Sequence, residues 1–599
     1  MIGIAAVLRR TAPYALAAAL LLSSSGTSAQ EAASPKAAPA IEAPAPFAPV
    51  PAPLPSPAAA PVVASAAAPA AKAEPPLVPL SVGSFTGALH ASYRLLGWAQ
   101  PGVQLGRRDT TDPIDTLGKK TFLEHRLRVG GELRNTDGVD LRFEADILNG
   151  LFAALPGGYV LAPQAVPQGG APQPLLADPL RNQAWGVNPS SFALRELAVR
   201  WRGSAGQLAF GTTTFSFGQG MLTSPANGPV DAEAGDQRFG DRVVRLAFST
   251  RPLVKMMGPD APDLTVAIGA DLVLQDSTAT LFRRFADWSD KGAIQDKGFG
   301  GLLALIHKAE GRELGLFITR RKVISPDSPV LLQGTTLPFS TDLSVWAFDA
   351  AAKVEHKLGP LDAALAAEGA LVLGDTNRVR NATCTGGAGQ GRCKILQGGA
   401  VVRGGLEGAL LGVDLLVGFA SGDADPFDDQ INNFKLSRDF PVGMILFDQV
   451  LAWQSASAVR RATDPLLSNA PAPGIDLLST NGAVTNALFV QPTLKVKVAE
   501  GLQLWGSVLW AIAPQPVADP YWTLKSGAIT NAFGQPAGKG YGVELDAGVN
   551  YKRALTPGLN AHAGLAGGVF LPGDAFVVDA AGTKMDAVAR VKARAAVWF

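Results

Sequence analysis

The stretch TFLEHRLRVGGELRNTDGVDLRFEADI (residues 121–147) decides the fold. Up to residue 134, leucine and valine fall on odd positions and charged residues on even ones. After the turn residues NTDG (135–138), apolar residues again alternate with Asp, Arg and Glu. A period of two is the signature of a β-strand. The stretch therefore predicts a hairpin with one charged face and one apolar face.

These strands are longer than the roughly five or six residues usual in soluble sheets. Charged residues inside and apolar residues outside are what a membrane barrel requires, because lipid accepts no unpaired backbone group and only a closed sheet has no edge. We therefore predict an all-β fold, a closed antiparallel transmembrane β-barrel of about 18 strands (16–20), preceded by a Pro/Ala-rich disordered segment. Glycine dilutes the alternation near 395–406 and 413–420, which leaves the strand count open.

The predicted strands lie near 85–97, 121–134, 139–147, 192–202, 207–215, 239–250, 264–275, 298–308, 313–323, 342–357, 361–373, 395–406, 413–420, 484–498, 502–512, 541–552, 559–570 and 586–599. Every second connection between them is short. This asymmetry is typical of outer-membrane barrels. It predicts that turns such as 135–138, 203–206 and 499–501 face the periplasm and that loops 374–394 and 421–483 face outward. We also expect part of 148–191 or 421–483 to fold inward and narrow the pore.

The N-terminal region predicts export from the cytosol. Residues 1–29 have two arginines, an apolar run and small residues, the pattern of a signal peptide. Residues 30–80 form a Pro/Ala-rich periplasmic linker, and residues 81–599 the barrel. After removal of 1–29, 50 Lys and Arg face 51 Asp and Glu, a net charge of −1. This balance does not suggest a nucleic-acid partner.

The chain ends on RVKARAAVWF (590–599), whose alternation continues to Phe599. This end resembles the C-terminal signature by which bacterial barrels are recognised for insertion. It predicts a place in the bacterial outer membrane, with membrane lipid and the barrel-insertion machinery, through Phe599, as partners.

Two stretches resemble the alginate-export family of outer-membrane porins. GYGVELDAGVNYKRALTPGLNAHAGLAGGVFLPGDAF (540–576) is similar to that family's C-terminal hairpin, and GFASGDADPFDDQINNF (418–434) to its Asp-rich loop. The hairpin match is carried by Gly542, Glu544, Leu545, Asp546, Tyr551, Phe570, Pro572 and Gly573. The resemblance implies an 18-stranded barrel and an export porin. It does not identify alginate as the solute.

Few residues suggest other chemistry. Cys384 and Cys393 are the two cysteines, and in an oxidising compartment they predict a disulfide. The acidic loop with Asp423, Asp425, Asp428 and Asp429 admits calcium, but it lacks the EF-hand spacing, so a solvated loop is the favoured interpretation. The five histidines show no zinc spacing. We predict no catalytic residue, no metal site, no cofactor and no enzymatic activity.

The inward-facing parity carries more cations than anions, which predicts a mildly basic lumen. Its pore-lining residues are Arg94, Arg126, Arg128, Arg142, Arg200, Arg202, Arg245, Lys495, Lys497, Lys552, Arg590, Lys592 and Arg594. Such a lumen favours small anions, although the same side chains also serve as a ladder of structural ion pairs. The predicted function is an outer-membrane porin that passes small hydrophilic or acidic solutes, with saccharides among the candidates. The alternatives are a surface receptor or adhesin and, as a third class, a barrel hydrolase.

Overall fold

A computed structural model of the protein describes residues 78–106, 116–117, 120–154, 193–226, 237, 240–258, 260–275, 297–332, 335–377, 392–425, 428–463, 480 and 482–599. Eighteen strands of one sheet follow each other around a ring. They are β1 (Phe85–Gln100), β2 (Lys120–Arg134), β3 (Val139–Ala154), β4 (Ala193–Gly203), β5 (Gly206–Thr214), β6 (Arg242–Thr250), β7 (Asp263–Gln275), β8 (Lys297–Ala309), β9 (Arg312–Leu332), β10 (Thr335–Leu358), β11 (Leu361–Thr376), β12 (Cys393–Glu407), β13 (Leu411–Ala420), β14 (Ala487–Ala499), β15 (Leu502–Ile512), β16 (Gly540–Thr556), β17 (Leu559–Pro572) and β18 (Val588–Trp598).

The ring closes between its first and last strands. β1 pairs antiparallel with β2 on one side and with β18 on the other, so that Arg94 lies opposite both Arg126 and Ala596. The final residue takes part in this closure, because the backbone N–H of Phe599 donates to Ala91 at 3.0 Å and its carbonyl accepts from Ala91 at 3.2 Å. The predicted closed antiparallel barrel of 18 strands is therefore confirmed.

Two short strands pair with this sheet without being members of the ring of 18. Val78–Val82 folds back on β1 in antiparallel pairing. Gln430–Ile431 pairs in parallel with the start of β12. A separate small sheet joins Val103–Gln104 to Thr116–Leu117. Residues 1–77 lie outside the described residues, so the signal peptide and most of the linker stay predictions.

The two faces of the barrel wall differ as the alternation predicts. On β4 the outward side chains of Leu197, Val199 and Trp201 are 48%, 44% and 55% exposed. The inward side chains of Arg128 and Arg590 are buried, with 5% and 2% exposed. Apolar residues thus cover the outside of the barrel and charged residues lie inside, which is the reverse of a soluble domain.

Most connections at one end of the barrel are tight. Residues 310–311, 359–360 and 500–501 join neighbouring strands there, and the longer connection after β6 contains helix α1 (Pro252–Met257). The opposite end carries the long loops, with one exception. The expected loop between residues 323 and 342 is instead an extended hairpin, because β9 and β10 continue pairing up to Leu332 and Thr335. Our prediction of a loop there was wrong, since backbone pairing continues where the side-chain alternation stops.

Two segments from the long-loop end fold into the barrel. We name residues 215–226 the first inner loop and residues 421–463 the second inner loop. The second contains a π-helical turn (Leu446–Leu451) that continues into α2 (Ala452–Thr463). Its side chains Phe434, Phe440 and Phe447 are buried in the main hydrophobic cluster. Further along the chain, helix α3 (Pro520–Ser526) and a 3₁₀ turn (Asp574–Phe576) lie in the connections after β15 and β17.

The helices are all short. None within the described ranges combines the length and apolar character needed to span a membrane.

Candidate functional site

A cluster of six cations lies on the inner face where the ring closes. This basic cluster consists of Arg94, Arg126, Arg128, Arg590, Lys592 and Arg594, each at most 8% exposed. Arg590, Lys592 and Arg594 follow at every second position of β18, so they point the same way at intervals of about 7 Å. Arg94 and Arg126 are directly opposite each other on β1 and β2. The local arrangement therefore concentrates positive charge on one sector of the wall.

Trp98 lies in the middle of this sector. The guanidinium carbon of Arg590 is 3.6 Å from the centre of its ring, and the Lys592 ammonium is 4.7 Å away. The indole N–H of Trp98 donates to Glu124 at 3.4 Å. Cations held against an aromatic face gain electrostatic attraction without being neutralised. Trp98 thus orients two cations on the inner face.

At the edge of this sector, from Arg128 onward, carboxylates accompany the cations. The Arg128 side chain donates two hydrogen bonds to Asp146, at 2.7 and 3.2 Å. Arg195 of β4 donates to Glu144 at 3.0 Å and lies 3.6 Å from Asp146. Sequence parity missed Arg195, because a β-bulge in the pairing of β3 with β4 brings both Arg195 and Glu196 to the inner side. The adjacent charged pair in LREL (194–197) was the available signal of this irregularity.

The other predicted pore-lining residues also lie on the inner face, in ion pairs or ring contacts. On β3 and β4, Arg142 donates to Glu132 at 3.0 Å, Arg200 lies 3.4 Å from Glu196, and Arg202 pairs with Asp140. Arg245 donates to Asp271 at 2.7 Å. Lys495 and Lys497 each lie 2.6 Å from a carboxylate, those of Asp414 and Glu407 respectively. Lys552 lies 5.4 Å from the ring of Trp598. The structure therefore places six of the 13 residues in the basic cluster, where Arg128 and Arg590 also have carboxylate partners, and seven along the rest of the inner wall. Their role in a pore stays a prediction.

The first inner loop is held by a wall carboxylate and a wall cation. Glu368 of β11, 2% exposed, accepts hydrogen bonds from the backbone N–H groups of Gln219 and Met221, the latter at 3.1 Å. The Arg245 guanidinium lies 4.1 Å from the ring centre of Phe215. Glu368 was not among the predicted residues, because the alanines around it hide the alternation of β11.

The second inner loop is held in the same way. Glu544 of β16, fully buried, accepts hydrogen bonds from the backbone N–H groups of Met444, Ile445 and Leu446, the last two at 2.8 Å. Arg590 donates to the Met444 carbonyl at 2.5 Å and to Asp448 at 2.7 Å. The basic cluster therefore contacts this loop directly. Our expectation that part of 421–483 folds inward is confirmed, whereas 155–192 lies outside the described residues.

The two inner loops also contact each other. The Ser437 N–H donates to the Met221 carbonyl at 2.6 Å. The segment just before β6 bridges the two loops. The Gly240 N–H donates to Asp439 of the second inner loop at 2.7 Å, and the Ser224 N–H of the first inner loop donates to Asp241 at 2.6 Å. Because each loop is also bonded to the wall, the pair forms one connected partition across part of the lumen.

Burial changes the acid–base properties of the second inner loop. Desolvation lowers the pKa of Lys435 to about 7, helped by the nearby charge of Arg438. Burial likewise lowers the pKa of Arg438 to about 10, although Asp439 and Asp241 oppose this shift. Both residues lie in the loop that contacts the basic cluster. The charge of this loop therefore depends on pH near neutrality through Lys435. Neither residue was singled out in the sequence, since burial of a loop lysine has no local signal.

The acidic segment 423–429 is bonded internally. Asp423, 8% exposed, accepts hydrogen bonds from the N–H groups of Asp425 and Asn432, each at 3.1 Å. Burial raises the pKa of Asp423 to about 6. Among the described side chains, no group of three or more His, Cys, Asp or Glu residues is arranged to hold a metal ion. Asp423 here closes a loop, and nothing in this arrangement adds support to the calcium interpretation.

One of the two cysteines of the predicted disulfide lies within the described residues. Cys393 begins β12 and is fully buried. Cys384 lies outside the described residues, so the Cys384–Cys393 bond stays a prediction.

A closed 18-stranded sheet with an apolar outer surface, a charged interior and loops folded inside defines a transmembrane β-barrel of the outer-membrane type. Three solved structures are similar to this chain at low sequence identity. OccK2 (OpdF) of Pseudomonas aeruginosa is 11% identical, with 86% of this chain and 97% of that one covered and a TM-score of 0.42. OccAB3 of Acinetobacter baumannii is 9% identical, with 85% and 99% covered and a TM-score of 0.44. The channel DcaP of Acinetobacter baumannii is 11% identical, with 87% and 99% covered and a TM-score of 0.36.

No family model and no curated protein matches the chain. The resemblance to the alginate-export family is therefore not confirmed.

Proposed function

We propose that this protein is an outer-membrane channel for the passive passage of small hydrophilic or acidic solutes. The observation that carries this proposal is the closed ring of 18 strands with a charged inner face. Barrels of 16–18 strands are wide enough to enclose an aqueous channel, which inner loops then narrow. Short turns facing the periplasm and long loops facing outward complete the proposed topology.

The solute preference follows from the basic cluster. Like charges placed directly opposite on neighbouring strands are destabilising, yet Arg94 and Arg126 are opposite each other and both buried. In a confined lumen of low dielectric such charges attract anions strongly. We therefore assign different roles to the basic cluster, whose six cations lie close together, and to the seven other predicted pore-lining cations, which are spread along the wall: the cluster attracts acidic solutes, and the pairs formed by the other seven stiffen the wall.

Conductance in a planar bilayer tests the channel. The purified protein should produce discrete current steps. A barrel that inserts, as shown by protease protection in vesicles, and yet passes no current in either orientation would contradict the proposal and favour the alternative of a surface receptor or adhesin. An uptake assay with neutral and acidic saccharides of equal size then tests the solute class.

The residues that resemble the alginate-export family support a shared construction and not a shared solute. Glu544 binds the second inner loop, Asp423 closes the acidic segment, and Phe434 is buried between loop and wall. Membership of that family remains our proposal. Uptake of acidic but not neutral saccharides would support the proposed acidic solute class, and equal uptake of both would count against that class.

Recognition of the C-terminus by the barrel-insertion machinery is the proposed partner interaction. Phe599 already has a structural role, since its backbone completes the pairing with Ala91. Replacing Phe599 with Ala leaves these backbone bonds possible and removes only the ring. Slower insertion in cells, with unchanged refolding of the purified variant in detergent, would separate recognition from stability, and unchanged insertion would refute it.

A further inference from the structure

Two cations lie on the outer face of the barrel. Along β9, Arg321 points inward and lies 3.3 Å from Asp271, so Arg320 and Lys322 on either side of it point outward. Both are exposed at the surface of the barrel wall. A cation on the lipid face is far more costly at the bilayer midplane than near the interface. The side chains around the two cations therefore decide what they can bind.

Strand register identifies the neighbours of the two cations on the outer surface. Arg320 is in register with Trp346, Leu373 and Leu396 on the following strands, all exposed apolar side chains. Lys322 belongs to the next outward row, which continues through Ser344, Asp375 and Lys394. On the preceding strands the same row is apolar, because Lys322 lies opposite Phe299 and Phe299 lies opposite Leu272, both exposed. Lys322 therefore lies where an apolar part of the outer surface meets a polar part, with Arg320 beside it.

A groove runs along the wall beside the two cations. It has a volume of about 1020 Å³, and its lining includes Ile268, Phe299 and Phe348. Gly301 opens it, because a Cβ atom there would have no neighbour closer than 3.9 Å. The apolar part of the groove extends from Arg320 toward the middle of the belt. Its shape and polarity suit an acyl chain whose polar end lies at the cations.

The charge of the two cations is available to a partner. The Arg320 guanidinium lies 5.5 Å from the ring centre of Trp346, a contact that orients it without neutralising it. Among the described residues, neither Arg320 nor Lys322 forms an ion pair, whereas Lys394 in the same row as Lys322 has Asp375 as its cross-strand neighbour. Arginine binds phosphate through a planar fork of donors, and lysine adds a point charge.

We infer that this groove binds a phosphate-bearing lipid, with its phosphate on Arg320 and Lys322 and an acyl chain along Ile268 and Phe299. Charge complementarity selects the anionic headgroup, and the apolar groove selects a lipid over a free anion. Because the site is on the outer face, it does not depend on whether the barrel conducts.

Native mass spectrometry of the barrel in neutral detergent tests the site. The probes are dimyristoyl phosphatidic acid, dimyristoylglycerol with the same chains and no phosphate, and inorganic phosphate. We expect a retained phosphatidic acid adduct that Arg320→Gln with Lys322→Gln weakens at least tenfold. Arg320→Lys with Lys322→Arg, which keeps both charges, should retain most of the binding. Lys394→Gln is the matched control in the same register row and should bind like the native protein.

Three results would overturn the inference. Equal adducts for the native protein and the double Gln variant would show that the cations are not involved. Equal retention of dimyristoylglycerol, or displacement of the lipid by millimolar inorganic phosphate, would show that no combined site exists. An oligomer that forms through this face, excludes the lipid and is lost in the double Gln variant would assign the groove to a second copy of the chain. Migration in SDS before and after boiling verifies that each variant is a folded barrel.

Discussion

Replacing Glu544 with Gln tests whether a single wall side chain holds the second inner loop. In the native protein one carboxylate oxygen accepts from Met444 and Ile445, and the other accepts from Leu446. Gln keeps the size of the side chain, but one oxygen becomes an amide group that cannot accept. At least one backbone N–H therefore loses its partner inside the barrel, and the remaining bonds lose the assistance of the charge.

The expected magnitude follows from these bonds. A hydrogen bond to a charged group contributes roughly 1.5–3 kcal/mol. We therefore expect docking of the loop to weaken by about 3 kcal/mol, which is about a 100-fold larger open population. Hydrogen exchange of the protein in detergent micelles measures this population, because amides that exchange through opening of the loop should exchange about 100-fold faster. The effect should be largest at residues 444–446.

The chain offers a matched control. Glu368→Gln removes the equivalent acceptor of Gln219 and Met221 in the first inner loop. It should speed exchange at residues 219–222 and leave 444–446 nearly unchanged. If Glu544→Gln leaves exchange at 444–446 within about threefold of the native rate, the loop is held by hydrophobic packing, and our reasoning about the carboxylate is wrong.

Three further predictions concern charge and covalent structure. Replacing Arg126, Arg590 and Arg594 with Gln should reduce the anion preference, measured as a reversal potential at low salt. The preference of the native channel should also decrease toward 1 M salt, where the screening length falls to about 3 Å. A cation preference in the native channel would refute the assignment of these residues to the pore. Lys435 should titrate with a midpoint near its lowered pKa of about 7, as followed by NMR of ¹³C-methylated lysines, and Arg438→Gln should raise that midpoint. Since the folded pKa is below the unfolded one, Lys435 should make stability rise with pH between about 7 and about 10, and a midpoint near 10 in the folded protein would contradict this. Cys384 and Cys393 should resist thiol labelling until reduced, and labelling of two thiols without reductant would exclude the disulfide.

Local pattern determined the barrel. The alternation around residues 121–147 places Arg126 and Arg128 on one face and Leu127 on the other in any extended conformation, because successive side chains of a strand point to opposite sides. Exclusion of unpaired backbone from lipid then requires closure. Period, strand number and the inward orientation of the basic residues could therefore be read from the sequence.

The irregular parts of the barrel wall were not predicted from the sequence. Arg195 turned inward through a bulge that depends on the pairing of two strands, and β9 and β10 continued as a hairpin where the alternation had already stopped. Both features are set by hydrogen bonds between residues distant in sequence. The alternation within one strand contains no information about how that strand pairs with its neighbour.

The interior was decided by tertiary structure alone. In the sequence, nothing distinguishes Glu544 from the other inward carboxylates or Lys435 from any other loop lysine. Closure of the barrel places Glu544 beside the N–H groups of residues about 100 positions earlier, and it leaves Lys435 and Arg438 half-buried in the loop that folds into the lumen. A buried donor or charge must find its partner within the fold, and which partner it finds depends on how the loop enters the ring. The sequence alone therefore determined the regular part of the barrel wall, while the bulge, the extended hairpin and the partition inside the barrel arose only when distant segments met.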